Sequence, residues 1–152
     1  MAIQVSGTTV IDNSRNLTNI VGANLDGRLA IKDVEEFANT TTGTSGTIVF
    51  NLDGYAVLRA TNAQTANRTM NLQVTMDVGD CVTCAYITPM GGTAYYINSV
   101  QVNGTTSGVT TRWSGGAPTE GTASAYNVYS FTVIETSTNN YIVLASLTAY
   151  EA

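Results

Sequence analysis

Short stretches in which apolar and polar residues alternate fill most of the chain after residue 46. In the clearest one, Met70, Leu72, Val74 and Met76 alternate with polar residues. Successive side chains of a strand point to opposite faces, so this pattern predicts a strand with one buried and one solvated face. Similar patterns predict seven further strands, over residues 47–52, 55–61, 81–88, 94–102, 109–114, 127–135 and 141–148.

Turn-forming residues separate these strands. Asp53-Gly54 and Asn103-Gly104 are typical of tight hairpin turns, and Asp77 to Asp80 and Gly91-Gly92 form further turns. About eight closely spaced and mostly antiparallel strands predict an all-β fold, an antiparallel β-sandwich of jelly-roll type. No repeat of fixed period is visible, which disfavours a propeller or a solenoid.

The first 45 residues have a different character. Ile31, Val34 and Ala38 lie at helical spacing and predict one short helix over residues 29–38. Thr40 to Gly46 is an uncharged Thr/Gly/Ser run that predicts a flexible linker. We therefore expect two parts: residues 1–45, a segment for attachment or oligomerisation with strands and one helix, and residues 46–152, the sandwich domain.

The last predicted strand is apolar on both faces. Tyr141, Val143 and Ala145 alternate with Ile142 and Leu144. One face can fill the core of the sandwich, and the other then requires a neighbouring molecule. Together with 43% hydrophobic and only 11% charged residues, this pattern predicts an oligomer.

Charge and hydropathy exclude several partners. The net charge is −5, and the six basic residues are scattered, so we expect no nucleic-acid binding. No apolar run approaches the roughly 20 residues of a membrane-spanning helix, so we expect no membrane insertion. The first five residues lack the basic start and apolar core of a signal peptide.

The chain contains no histidine, the most common general base and a frequent zinc ligand. Glu35 and Glu36 are adjacent and cannot act as a facing acid–base pair on a helix. We therefore predict that the protein is not an enzyme. A small carbohydrate-active enzyme that uses carboxylates alone remains the enzymatic alternative.

Two motifs resemble metal or redox sites. Cys81 and Cys84 form a C-x-x-C pattern, but on a strand they would point to opposite faces, about 10 Å apart and out of disulfide range. Asp77 and Asp80 flank a turn and could supply oxygen ligands to calcium, but the spacing of an EF-hand is missing. We predict reduced thiols, no metal and no cofactor.

Four aromatic residues are candidates for contact with a ligand or another subunit: Trp113, Tyr95, Tyr96 and Tyr126. They lie among glycines and near Pro118, where an exposed ring could stack on a sugar. The alternative is that these rings fill the core or a subunit interface.

The order of three segments, Gly91–Asn98, Arg112–Pro118 and Tyr141–Ser146, resembles the terminal domain of bacteriophage tail-fibre and other virion structural proteins, especially those of cyanobacterial phages. The resemblance covers residues 46 to 150, and Val5 to Ile20 is similar to a unit common in phage fibre proteins. It implies a homotrimeric virion protein, a short tail fibre or fibre-like appendage that contacts the host surface, including surface glycans. Residues 1–45 would then bind other virion proteins. A capsid decoration, neck or baseplate component is the alternative, because no long shaft is present.

Overall fold

A computed structural model describes residues 3–5, 8–11 and 37–151 of the chain. The chain divides into two compact units, Met1–Val34 and Glu35–Ala152. In the first unit, β1 (Ile3–Val5) and β2 (Thr8–Ile11) pair antiparallel. The second unit contains residues 38–45, which the sequence assigned to the N-terminal segment.

Nine strands form the second unit. They are β3 (Ala38–Thr41), β4 (Thr47–Asn51), β5 (Val57–Ala60), β6 (Arg68–Gln73), β7 (Cys81–Pro89), β8 (Ile97–Val102), β9 (Val109–Trp113), β10 (Tyr126–Ser137) and β11 (Asn140–Tyr150). The all-β class and all eight predicted strands are confirmed. The sequence missed β3, which occupies residues assigned to the helix and the linker.

The strands form a six-stranded sheet in the order β3-β5-β7-β10-β11-β9 and a three-stranded sheet in the order β4-β6-β8. From β3 to β8 the chain changes sheet at every turn, so β3, β4, β5 and β6 each pair in parallel with the strand two positions later. These six strands wind as in a solenoid, and we call each consecutive pair of strands, one in each sheet, a coil. The repeat is not fixed, because Ala38 pairs with Val57 after 19 residues and Val57 with Ala85 after 28.

The jelly roll is not confirmed, because five of the eight pairings among the described strands are parallel. The turns at Asp53-Gly54, Gly91-Gly92 and Asn103-Gly104 connect strands of different sheets, so none of them joins two neighbouring strands of one sheet. At Asn103-Gly104 the predicted tight turn is present, because Val102 and Thr105 exchange two backbone hydrogen bonds of 3.1 Å. Asp53 accepts hydrogen bonds from the backbone N–H and the hydroxyl of Thr75, both at 2.9 Å. Such a turn residue binds the neighbouring coil and does not close a hairpin.

The hairpin of the second unit is β10–β11, an uninterrupted antiparallel ladder from Tyr126↔Tyr150 to Glu135↔Tyr141. It lies between β7 and β9. β10 pairs antiparallel with β7, and β11 pairs in parallel with β9. The hairpin therefore takes the place where another coil would have stacked on β7.

The predicted short helix is not found among the described residues, which contain no helix. Its residues 29–36 lie outside the described part of the chain, and Ala38 begins β3. No helix that could cross a membrane occurs among these residues.

The predicted linker, residues 40–46, is tied to the next coil. Thr40 and Thr41 belong to β3. Arg68 donates to the carbonyl oxygens of Gly43 at 2.6 Å and Gly46 at 3.2 Å, and the backbone N–H of Thr65 donates to Thr44 at 2.9 Å. A segment whose backbone is bound at three points is a turn of the fold, and the flexible-linker prediction was wrong.

The two sheets face each other across one core. The three-stranded sheet contributes fully buried Phe50, Met70 and Leu72, and the six-stranded sheet contributes Tyr86 and Phe131. The hydroxyl of Tyr129 crosses the core and accepts the N–H of Ile97 at 3.2 Å. β4, β7 and β10 bury alternate residues, as the period-two pattern predicted, whereas β6 also buries Asn71 between Met70 and Leu72.

Candidate functional site

The outer surface of the three-stranded sheet is polar. Its three rows across the strands are Thr47–Thr69–Ser99, Val49–Asn71–Gln101 and Asn51–Gln73. Val49 is the only large apolar residue among them, and it is 51% exposed. Asn71, in the central row, is buried and accepts the N–H of Gly104 at 2.8 Å, and the other polar side chains are exposed or half-buried. A polar surface of this kind needs no partner.

The outer surface of the six-stranded sheet is different, because its outward positions include many apolar residues. We call six of them the outer apolar face: Val57, Ile87, Val128, Ile134, Ile142 and Leu144. They are half-buried by their neighbours, except for Leu144, which is 47% exposed. Ile142 and Leu144 point away from the core while Val143 is fully buried, so the predicted alternation of β11 is confirmed.

Strand register arranges the apolar residues of this face in groups. Ile87 lies beside Val128, and Ile134 beside Ile142. Small residues separate these pairs, since Ala85 lies beside Ser130 and Ser130 beside Ser146. A hollow of about 420 Å³ opens over the small residues, and its lining includes Arg112, Ser130, Thr132, Leu144 and Ser146.

The charged residues of this face are both arginines. Arg59 pairs with Ile87 on one side of the apolar residues, and Arg112 pairs with Leu144 on the other. Both arginines are exposed. None of the outward positions on β5, β7, β9, β10 or β11 carries a carboxylate. The face is therefore an apolar surface bordered by positive charge.

Trp113, at the end of β9, is half-buried and belongs to the edge of the core. Its indole meets the rings of Tyr129 and Phe131 edge-on, with centroids 6.3 and 6.1 Å apart. Edge-to-face contacts of this kind stabilise aromatic clusters. Trp113 also lines the hollow, so its position suits both predicted roles.

Tyr95 and Tyr96 lie in the segment between β7 and β8 and are half-buried. The Tyr96 backbone is fixed on both sides, because its N–H donates to Asn67 at 3.1 Å and its carbonyl accepts the N–H of Arg68 at 3.0 Å. Gly121 packs against the Tyr95 carbonyl so closely that a Cβ at this glycine would collide with the oxygen. This segment is a packed connection between the sheets.

Tyr126 is the one predicted aromatic on the outer surface of the six-stranded sheet. It is 49% exposed and lies between Pro89 and Tyr150, which is 61% exposed. Trp113 aligns with Ala145, five positions along β11 from Tyr150. The fold therefore does not bring the four aromatics together into one site.

The residues of the two metal-like motifs have structural surroundings. Cys81 is exposed and Cys84 is buried, both thiols are free, and they point to opposite faces of β7, as predicted. The Asp80 carboxylate accepts the N–H of Asp77 at 3.0 Å and closes its own turn. Among the described residues, no group of three or more potential ligands could hold a metal ion.

A polar cluster lies inside the molecule around Arg68, which is only 4% exposed. Besides the two loop carbonyls, its guanidinium donates to Gln64 at 2.9 Å. Desolvation lowers the pKa of Arg68, and burial raises that of Tyr86. Arg68, Gln64 and Tyr86 line one small internal cavity. The Tyr86 hydroxyl has no hydrogen-bond partner among the described residues. This cluster connects coils and is enclosed, so it is not an accessible site.

Comparisons with protein-family models, curated proteins and solved structures found no match to this chain. Of the two outer sheet surfaces, the outer apolar face carries the larger number of apolar side chains. Exposed apolar patches are typical of interaction sites. Sequence reasoning identified its β11 residues but missed Val128, Ile134 and the two arginines. The pattern that could have identified Val128 and Ile134 lies in β10, where they alternate with buried residues such as Tyr129 and Val133.

Proposed function

We propose that this protein is a structural component of a bacteriophage particle, a short tail fibre or fibre-like appendage that assembles as a homotrimer and contacts the host surface. In this proposal the particle is its location, and residues 1–45 bind other virion proteins. The resemblance of residues 46–150 and of Val5–Ile20 to phage fibre proteins supports the class of protein.

One observation supports assembly in particular: the outer apolar face exposes branched aliphatic side chains on a sheet whose inward positions already fill the core. Burial of apolar surface contributes about 25 cal/mol per Å², so covering this face with another subunit is favourable. The outer surface of the three-stranded sheet has no comparable need. An oligomer that covers the outer apolar face of each subunit and leaves the polar outer surface of the three-stranded sheet in water satisfies both surfaces.

Light scattering on the purified protein tests the assembly. The expected mass is three times the chain mass of 16.0 kDa. Ile142→Asp places a charge on the outer apolar face and should give a folded monomer. Val49→Asp places the same charge on the polar outer surface of the other sheet and should leave the trimer intact. A wild-type protein that remains monomeric at micromolar concentration would refute the homotrimer.

Mass spectrometry of purified particles of the encoding virus, followed by immunogold microscopy, tests the location. We expect the protein in the particles, with gold at the tail or on another surface appendage. A protein found only in the lysate and never in washed particles would contradict the virion assignment, whatever its oligomeric state.

A further inference from the structure

A molecule that covers the outer apolar face must supply carboxylates to the two arginines at its borders. Arg59 and Arg112 lie on its two sides, and no outward position of the face carries an acidic residue. Stacking this face directly on its own copy would bring cations toward cations, and like charges in an interface are costly. A complementary surface must present apolar groups together with carboxylates.

The turn between β6 and β7 presents this combination. Val78, at its tip, is 57% exposed, and the exposed carboxylates of Asp77 and Asp80 flank it. We call residues 77–80 the acidic turn. Val78 is one of the few large apolar side chains exposed in the described part of the chain, and the only one between two carboxylates.

The backbone of the acidic turn is held rigidly. Gly79 adopts a φ of +98° and donates its N–H to the Glu135 carbonyl at 2.8 Å. The N–H of Asp80 donates to the Asp77 carbonyl at 2.9 Å, and that of Asp77 to the Asp80 carboxylate. A preorganised protrusion loses little conformational entropy when it binds.

The hollow on the outer apolar face has matching chemistry. Leu144 and the small residues Ser130 and Ser146 offer an apolar and uncharged floor, and Arg112 stands at its edge. A volume of about 420 Å³ has ample room for a valine side chain. The hollow is therefore large enough to accept the protrusion, and the two match in polarity and charge.

We propose that the acidic turn of one copy docks into this hollow on a neighbouring copy, with Val78 against Leu144 and Asp77 paired with Arg112. The occupant of the hollow is thus a second copy of this chain. The inference rests on the proposed homotrimer and assigns its contact residues.

A charge-exchange experiment tests the pair. Association constants are measured by sedimentation at two salt concentrations, and circular dichroism checks that each variant is folded. Arg112→Glu and Asp77→Arg should each weaken association about tenfold or more, because each places like charges in contact. The double variant should recover to within about threefold of the wild type, because the pair is restored in reverse.

A matched control combines Arg112→Glu with Glu120→Arg, which restores the net charge at an exposed site outside the acidic turn. This control should remain as weak as Arg112→Glu alone. Recovery in the control to the level of the charge-exchanged pair would overturn the specific contact. A wild-type trimer that Arg112→Glu leaves intact would overturn the inference alone, whereas a wild-type monomer would overturn the proposed assembly as well.

Crosslinking provides a second readout that does not depend on charge. In a Cys81→Ser background, Val78→Cys combined with Ser146→Cys should form disulfides between chains on mild oxidation. Val78→Cys combined with Gln101→Cys, on the polar outer surface, should not. Equal crosslinking of both pairs, or none of the first, would contradict docking of Val78 in the hollow.

Discussion

The wound strands β3–β8 and the hairpin β10–β11 stabilise their backbones in different ways. In the wound part, turns cross from sheet to sheet, and side chains bind the exposed backbone groups. Asn103, for example, bonds both the N–H and the carbonyl of Val74 at 3.0 Å. In the hairpin, neighbouring strands satisfy each other's backbone directly through an uninterrupted ladder.

Polar side chains therefore have different roles in the wound part and in the hairpin. Backbone groups at a crossing turn have no partner in a strand ladder, so the wound part uses the side chains of Arg68, Asp53 and Asn103 to bind them. The hairpin needs no such commitment, and its outward side chains are available for contact with another molecule. We therefore expect substitutions in polar residues to damage folding in the wound part, and outward substitutions in the hairpin to affect assembly.

Truncation from the N-terminus into the wound strands should cause the largest loss of stability. Deleting residues 1–34 leaves the second unit whole, whereas deleting residues 1–45 also removes β3 and the Gly43 carbonyl that Arg68 binds. The longer deletion should lower the free energy of unfolding by about 5 kcal/mol relative to the shorter one, from lost pairing and unsatisfied groups. Urea unfolding of both truncated proteins measures this difference, and equal midpoints would show that β3 contributes nothing.

Replacement of the buried Arg68 should cause the second-largest loss of stability. Arg68→Met leaves the Gly43 and Gly46 carbonyls and the Gln64 amide without their donor, at a cost of about 3 to 5 kcal/mol. Arg112→Met, on the outer surface of the six-stranded sheet, should change the unfolding free energy by less than about 0.5 kcal/mol. Thermal and urea unfolding provide the measurement. A larger loss for Arg112→Met would break the distinction between the internal and the outward arginine.

Alkaline pH tests whether the two parts unfold together, because β7 joins the wound strands to the hairpin. Burial raises the pKa of the Cys84 thiol in β7 to about 12 from 9.0. The folded state keeps a proton that the unfolded chain releases, so the stabilising contribution is complete below pH 9 and is lost between pH 9 and 12.

For this single group the loss is about 1.4 kcal/mol per pH unit in that window. Cys84→Ala should therefore lose less stability than the wild type between pH 8 and 10.5, by about 2 kcal/mol, and Cys81→Ala should behave like the wild type. Fluorescence of Trp113 and far-ultraviolet circular dichroism should give the same midpoint. Two separate midpoints would show that the parts unfold independently.

Two core tyrosines should give the smallest effects. Tyr129→Phe removes the acceptor of the Ile97 N–H and should cost about 1 to 2 kcal/mol. Tyr86→Phe removes a buried hydroxyl that has no partner among the described residues, and should be neutral or slightly stabilising. Urea midpoints of the two variants decide this. A substantial loss for Tyr86→Phe would mean that its hydroxyl is satisfied, for example by a water shared with Arg68.

Local pattern predicted more of the strands than of their arrangement. The alternation in Thr69–Met76 and Tyr141–Thr148 located β6 and β11 and their buried faces, because side-chain direction in a strand depends only on position. The sequence also located the Asp-Gly and Asn-Gly turns, but it did not predict which sheet the strand after each turn would join. The same residues suit a hairpin and a crossing between sheets, and only contacts with the neighbouring coil distinguish the two.

The candidate site was predictable to the same degree. The two-sided apolar pattern of Tyr141–Leu147 indicated a surface that requires a partner. That Ile142 and Leu144 join Ile134 and Val128 into one face, with Arg59 and Arg112 at its borders, depends on strand order and register across distant parts of the chain.

By itself, the sequence determined the all-β class, the positions of eight strands, the separation of Cys81 from Cys84 and the apolar character of both faces of β11. These features follow from composition and from a periodicity of two, which are local properties. Tertiary structure decided the winding of β3–β8, the insertion of the hairpin beside β7 and the binding of residues 43–46 by Arg68. Each of these depends on which backbone groups find partners far away in the sequence, and no local pattern encodes that choice.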